Sequence, residues 1–147
     1  LMKAYAGPDA LADIALSVQT LRARPEVGGA KVGAYGYCMG GRLAYLAAAT
    51  AGVDAASAFY GGGIHGQLDK AAAIGCPIQF HYAESDDNIP LSAVDSVRAA
   101  MAGKPAEVFV YPAAHHGFNC WARASYDAKS AALAHGRTTA FFAEHLF

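Results

Sequence analysis

The chain has 147 residues, 54% of them hydrophobic and 16% charged, with a formal net charge of −1. That length and composition exclude a disordered chain and support one domain with a buried core. With no basic stripe and no apolar run near the roughly 20 residues of a membrane span, neither nucleic acid nor membrane is expected as a partner.

Pro8 opens a helix whose apolar positions Leu11, Ile14, Ala15, Val18 and Leu21 recur at spacings of three and four, and Arg24-Pro25 ends it. The run from Glu26 to Gly29 is a loop. Residues 31–35 read as a strand buried on both faces, and the turn Gly36-Tyr37-Cys38-Met39-Gly40 leads into an alanine-rich helix over 39–51. Strands are expected at 55–60, stopped by Gly61-Gly62-Gly63, then at 77–82 and at 106–111. A helix falls between the last two, over 91–102, and a final one covers 125–145. Strands alternating with helices imply parallel pairing with right-handed crossovers. No linker, repeat or low-complexity segment divides residues 1–147, which read as a single α/β domain with a sheet of four strands.

The turn at 36–40 has the strand–turn–helix setting of the nucleophile elbow G-x-S-x-G, with cysteine in place of serine. So sharp a turn leaves no room for a Cβ at Gly36 or Gly40, and it holds Cys38 clear of the sheet at a helix N-terminus. Unpaired N–H groups and the helix dipole favour negative charge there. Asp86 falls in the loop after the strand ending near Tyr82, and His116 in the loop after the strand ending at Tyr111. Loops after the C-terminal ends of parallel strands share one edge, where ligands bind. Cys38 as nucleophile, His116 as base and Asp86 to orient the imidazole can therefore converge. Their chain order, nucleophile then acid then histidine, is the order of the α/β-hydrolases. Amidotransferases with a cysteine elbow place the acid beyond the histidine, and none sits two residues past His116.

On these motifs the chain resembles the C-terminal part of the dienelactone hydrolase (carboxymethylenebutenolidase-like) family, a branch of the α/β-hydrolases with a cysteine nucleophile. The matching segments are Gly33 to Arg42, Phe59 to Gly62, Asp86 to Pro90, His116 to Cys120, Arg123 to Tyr126 and the terminal helix through Phe142. The resemblance implies a Cys38, Asp86 and His116 triad. Register with Ile89-Pro90 selects Asp86 over Asp87, and register with Phe118 selects His116 over His115. His115 stands where the family has glycine, a replacement expected to strain the backbone. The backbone N–H of Met39 would supply one oxyanion donor. The second donor belongs to a loop after the family's third strand. That fold has about eight strands, and the nucleophile follows the fifth, so the chain is expected to lack the N-terminal strands.

The implied activity is hydrolysis of a small ester or lactone through a thioester. The alternative is an inactive or partner-dependent piece that serves only to oligomerise, using the open edge at 31–35 to form a homo-oligomer. Some dienelactone-cleaving members carry an arginine four residues after the histidine, where this chain has Cys120. Arg123 is the nearby substitute for binding a substrate carboxylate, or else a surface residue at a helix start. Tyr37 and Trp121 are candidates for the substrate pocket, with core packing as their other reading. His65 and His81 read as structural. Cys38, Cys76 and Cys120 are odd in number and lack metal-ligand spacing, so neither a disulfide framework nor a metal is indicated, and no cofactor is implied. A reducing cytoplasm suits a catalytic thiol.

Overall fold

The computed structural model describes residues 8–147, so residues 1–7 of the expected domain lie outside the described residues. Four parallel strands lie side by side in chain order: β1 (Gly33–Tyr37), β2 (Ala55–Phe59), β3 (Ile78–Ala83) and β4 (Ala106–Tyr111). The helices are α1 (Pro8–Ala23), α2 (Met39–Thr50), α3 (Leu91–Ala100) and α4 (Ala128–Leu146). Two short 3-10 segments, Ile64–Gly66 and Leu68–Ala73, fill the β2–β3 crossover. Sequence periodicity had nothing to show for them, because each is too short to repeat a face. Among the described residues no helix is long and apolar enough to cross a membrane.

The first strand begins two residues later than its apolar run. Val32 donates its N–H to the Asp54 carboxylate at 2.7 Å and accepts from the Asp54 N–H at 2.8 Å, while Arg22 holds the same carboxylate at 2.6 Å. Asp54 thus ties off the entrance of β1, and the ladder starts at Gly33 opposite Ala55.

The sheet divides the core into two faces by the period-two alternation of its strands. Phe80 of β3 meets Tyr45 of α2 on one face, with ring centroids 6.2 Å apart. On the other, Gln79 and His81 face α4, where Thr138 Oγ1 lies 3.1 Å from both Ser57 Oγ and His81 Nε2. The remaining His81 nitrogen lies 2.8 Å from the Tyr111 hydroxyl, which also accepts from Arg137 at 3.1 Å. Burial, and then the neighbouring Arg137 and His135, push the His81 pKa down to about 3, so this buried imidazole is neutral. Every residue of β2 and β3 is buried.

β1 is an edge strand among the described residues, as the open edge expected at 31–35 requires. Tyr35 is 60% exposed, because no strand among the described residues lies beyond β1 to cover it. Leu21 also faces solvent, and α1 buries Ala10 and Val18 instead.

Candidate active site

The C-terminal edge of the sheet gathers three loops. Cys38 follows β1 directly with φ 55° and ψ −114°, a conformation costing about 1–3 kcal/mol for a residue with a side chain. Two contacts enforce it. The Cys38 N–H donates to Phe59 O at 3.0 Å, and the start of α2 folds back so tightly that a Cβ on Gly36 would lie 2.3 Å from Gly40 O. The second elbow glycine differs from expectation, since a Cβ on Gly40 would meet nothing within 4 Å. The tight approach belongs to its neighbour Gly41, whose Cβ would lie 2.4 Å from Phe59 O as α2 passes over β2. Met39 is the first residue of α2, one of the helix positions whose N–H has no intrahelical acceptor.

Asp86 lies in the loop after β3 and is buried. Its Oδ1 accepts the N–H groups of Asn88 at 2.8 Å and Ile89 at 3.1 Å, which leaves Oδ2 facing the next loop. That loop follows β4 and is fastened to the acid loop by Ser85 N–H to Ala114 O at 2.9 Å and by Ala113 N–H to the Glu84 carboxylate at 2.8 Å. Fully buried Phe118 anchors its far side. Between these fixed points His116 sets Nδ1 2.8 Å from Asp86 Oδ2 and Nε2 3.2 Å from Cys38 Sγ. His115 and Asp87 are exposed. His115 does not carry the expected strain; the positive φ values fall on either side, at Ala113 (55°) and Gly117 (81°).

A cleft of about 460 Å³ opens beside Cys38. Tyr37, Trp121 and Arg123, singled out from the sequence, all line it. Trp121 is 84% exposed and stands at the cleft, with no part in the core. Tyr37 does both jobs, packing its ring at a tilt against Phe59 at 4.8 Å while lining the cleft. Arg123 lies well before α4, which starts at Ala128 behind the cap Asp127, whose carboxylate accepts from Ser130 N–H. Its guanidinium would lie 3.2 Å from a Cβ on Gly117, next in the chain to His116, and it has no carboxylate partner among the described residues.

Sequence reasoning missed Tyr60, Asn119 and His135, which also line the cleft. Tyr60 packs edge-on against His116 at 5.1 Å and holds φ 35°, and burial is the main cause that raises its hydroxyl pKa. Its place right after a strand was the available signal. Asn119 carries a buried Oδ1 with no hydrogen-bond partner. His135 sits in mid-helix, where nothing in the local sequence marks it.

A parallel sheet with a strained elbow after one strand, and acid and histidine loops after two later ones, is the arrangement of the α/β-hydrolase class. Within that class the chain belongs to the dienelactone hydrolase family, whose sequence model matches residues 2–146. It is 33% identical to the carboxymethylenebutenolidase of Pseudomonas putida over 144 residues, 97% of this chain and 61% of that protein. A provisionally named carboxymethylenebutenolidase of Azospirillum brasilense is 40% identical over 109 residues, 74% of this chain and 47% of the relative. Among solved structures, a provisionally described dienelactone hydrolase from Klebsiella pneumoniae superposes with a TM-score of 0.81 at 32% identity, over 92% of this chain and 60% of that one. The chain thus spans between about half and three fifths of the relatives it matches.

Proposed function

We propose that this chain carries the nucleophile, base and acid of a hydrolase for small esters or lactones. The observation that carries the reading is the unbroken line Asp86 Oδ2, His116 Nδ1, His116 Nε2, Cys38 Sγ, with separations of 2.8 and 3.2 Å at its two hydrogen bonds.

In this mechanism Cys38 Sγ bonds to the carbonyl carbon and its proton passes to His116 Nε2. The carbonyl electrons move onto oxygen, to which the Met39 N–H donates a hydrogen bond, one such donor being worth roughly 3 kcal/mol of barrier. Asp86 steadies the imidazolium through Nδ1–H. The carbon–oxygen bond then breaks, the leaving alkoxide takes the proton from Nε2, and a thioester remains. Water gives a proton to His116 as it attacks that thioester, and the proton returns to Cys38 as the acid departs. In a lactone the leaving alcohol stays tethered to the acyl group. The cleft of about 460 Å³, lined by Tyr37 and Trp121, suits a small substrate, with Arg123 as the anchor for an anionic group.

The test is turnover of an activated aryl ester by the purified protein, in both the given chain and a version extended at its N-terminus. Cys38→Ala and iodoacetamide should each abolish it while the circular dichroism spectrum stays unchanged. Retained turnover in Cys38→Ala sinks the reading.

One observation favours a partner-dependent form of the same unit. Among the described residues the outer edge of β1 has no neighbouring strand, which leaves backbone N–H and C=O groups beside exposed Tyr35. On that reading the given chain self-associates or is only weakly active until the edge is covered. A monodisperse monomer in light scattering that turns over esters as fast as the extended version would dismiss it.

A further inference from the structure

We propose that Cys38 and Cys120 form a redox-active dithiol, in which a hydroperoxide oxidises the Cys38 sulfur and Cys120 resolves it as an intramolecular disulfide. The proposal rests on the reading of Cys38 as a reactive thiol. All three cysteines are free, so three pairings are conceivable. Parallel topology removes two of them. Cys76 precedes β3, at the N-terminal edge of the sheet, whereas Cys38 follows the C-terminal end of β1. A strand of β3's length spans about 20 Å at about 3.3 Å per residue, well beyond the roughly 7 Å limit of Cα separation for a disulfide. Burial is the main cause that raises the Cys76 thiol pKa, making it the less reactive thiol as well.

Cys120 comes after β4, which two strands separate from β1, but its loop crosses back over the sheet edge. Phe118 packs against Tyr60 at 5.3 Å, His116 packs against the same ring at 5.1 Å, and His116 reaches Cys38. One residue beyond Asn119, the Cys120 N–H closes a turn on Gly117 O at 2.8 Å, which ties Cys120 to the residue that follows His116. Cys38 and Cys120 consequently line one cleft. Both thiols also act on the Tyr60 hydroxyl, after burial and Tyr37, and Cys120 does so ahead of Cys38.

The chemistry balances. Cys38 sulfur, its proton taken by His116, attacks the distal oxygen of the hydroperoxide. A sulfur–oxygen bond forms, the oxygen–oxygen bond breaks, and an alcohol leaves with the proton from His116. Cys120 sulfur then attacks the sulfenic sulfur, the sulfur–sulfur bond forms, and the hydroxide departs as water with the Cys120 proton. Two thiols are oxidised and one peroxide is reduced. The disulfide bridges the cleft and withdraws the thiol facing His116, so the oxidised state is inactive until an external thiol reduces it. Cys120 also protects Cys38 from over-oxidation to the sulfinic acid.

The experiment treats the 147-residue chain with hydrogen peroxide and reads intact mass and peptide maps. The expected result is the loss of two hydrogens, a cross-linked peptide pair containing Cys38 and Cys120, a free Cys76, and full reversal by dithiothreitol. In Cys120→Ser, with Cys120→Ala as a second variant against misfolding, the cross-link is lost. Dimedone then traps a sulfenic acid on Cys38, and the irreversibly oxidised fraction rises by about tenfold. Cys76→Ser should match the wild type. A cross-link that uses Cys76, or direct passage to sulfinic acid in the wild type without a disulfide, overturns the proposal. Because the readout is mass, it stands apart from ester turnover. Turnover surviving in Cys38→Ala would refute the nucleophile role and leave the cross-link result intact.

Discussion

Asp86 holds His116 with one carboxylate oxygen while its own loop holds the other. Oδ1 takes two backbone N–H groups, from Asn88 and Ile89, and Oδ2 lies 2.8 Å from His116 Nδ1. The carboxylate cannot rotate away from the imidazole without breaking its turn. The His116 ring is therefore fixed from behind, by a group already fixed in the core.

This arrangement makes the two neighbouring aspartates unequal. Asp86→Asn should lower kcat/KM for an aryl ester by about three orders of magnitude, because the amide misorients the imidazole. Asp87→Asn, at an exposed position, should change it less than about threefold. Steady-state kinetics on the two variants decides this. An Asp87 effect as large as that of Asp86 would remove Asp86 from its assigned role.

The elbow glycines should also separate. At Gly36 a Cβ would meet Gly40 backbone at 2.3 Å, so Gly36→Ala must displace Cys38 or the start of α2, and a stability loss of about 3 kcal/mol is expected. Gly40→Ala puts its methyl in open space inside a helix and should be neutral or stabilising by up to about 1 kcal/mol. Urea denaturation of both variants measures the contrast. A Gly40 loss as large as the Gly36 loss would show that the tight approach has been assigned to the wrong residue.

Arg123 should act on substrate charge. With no carboxylate partner among the described residues, its guanidinium is available to an anionic group in the cleft. Arg123→Ala should raise KM for an ester bearing a carboxylate by about tenfold, with kcat little changed, and leave a neutral ester of the same size unaffected. Equal losses on both esters would place Arg123 in the scaffold.

Stability should fall on mild acidification because of His81. Its folded pKa of about 3 lies below the ordinary histidine value of 6.5. Between those values the unfolded chain takes up a proton that the folded one refuses. Stability is therefore full above pH 6.5 and declines as the pH falls toward 3, by up to about 1.4 kcal/mol per pH unit. The charges bearing on the ring are Arg137 and His135, and its hydrogen-bond partner Gln79 is held by Glu107. Thermal melts from pH 7 to pH 4.5 should show this slope in the wild type and a much smaller one in His81→Asn. Parallel slopes in the two proteins would mean that other groups carry the acid sensitivity.

The elements, and the loops that carry Cys38, Asp86 and His116, were legible in the sequence because their signals are local. An apolar run followed by Gly-x-Cys-x-Gly specifies a strand, a sharp turn and a helix whatever surrounds it, and Asp86 and His116 each follow a strand-like run. The parallel pairing of the strands also followed from their alternation with helices. Packing decided what local pattern could not. Residues 31–35 have the composition of a doubly buried strand, yet Tyr35 is exposed because burial depends on which strand lies alongside, and none does among the described residues. Gly40 and Gly41 look alike in sequence, and only the passage of α2 over Phe59 makes the second one indispensable. Register with Phe118 singles out His116, but its 2.8 Å approach to Asp86 depends on the bond that fastens one loop to the other at Ser85 and Ala114. The cleft brings Cys38 and Tyr37 from β1 and its elbow together with Cys120, Trp121 and Arg123 from a loop some eighty residues away, and with His135 from α4. Residues so far apart in the chain meet only because the sheet sets their elements at one edge, a relation that no window of sequence contains.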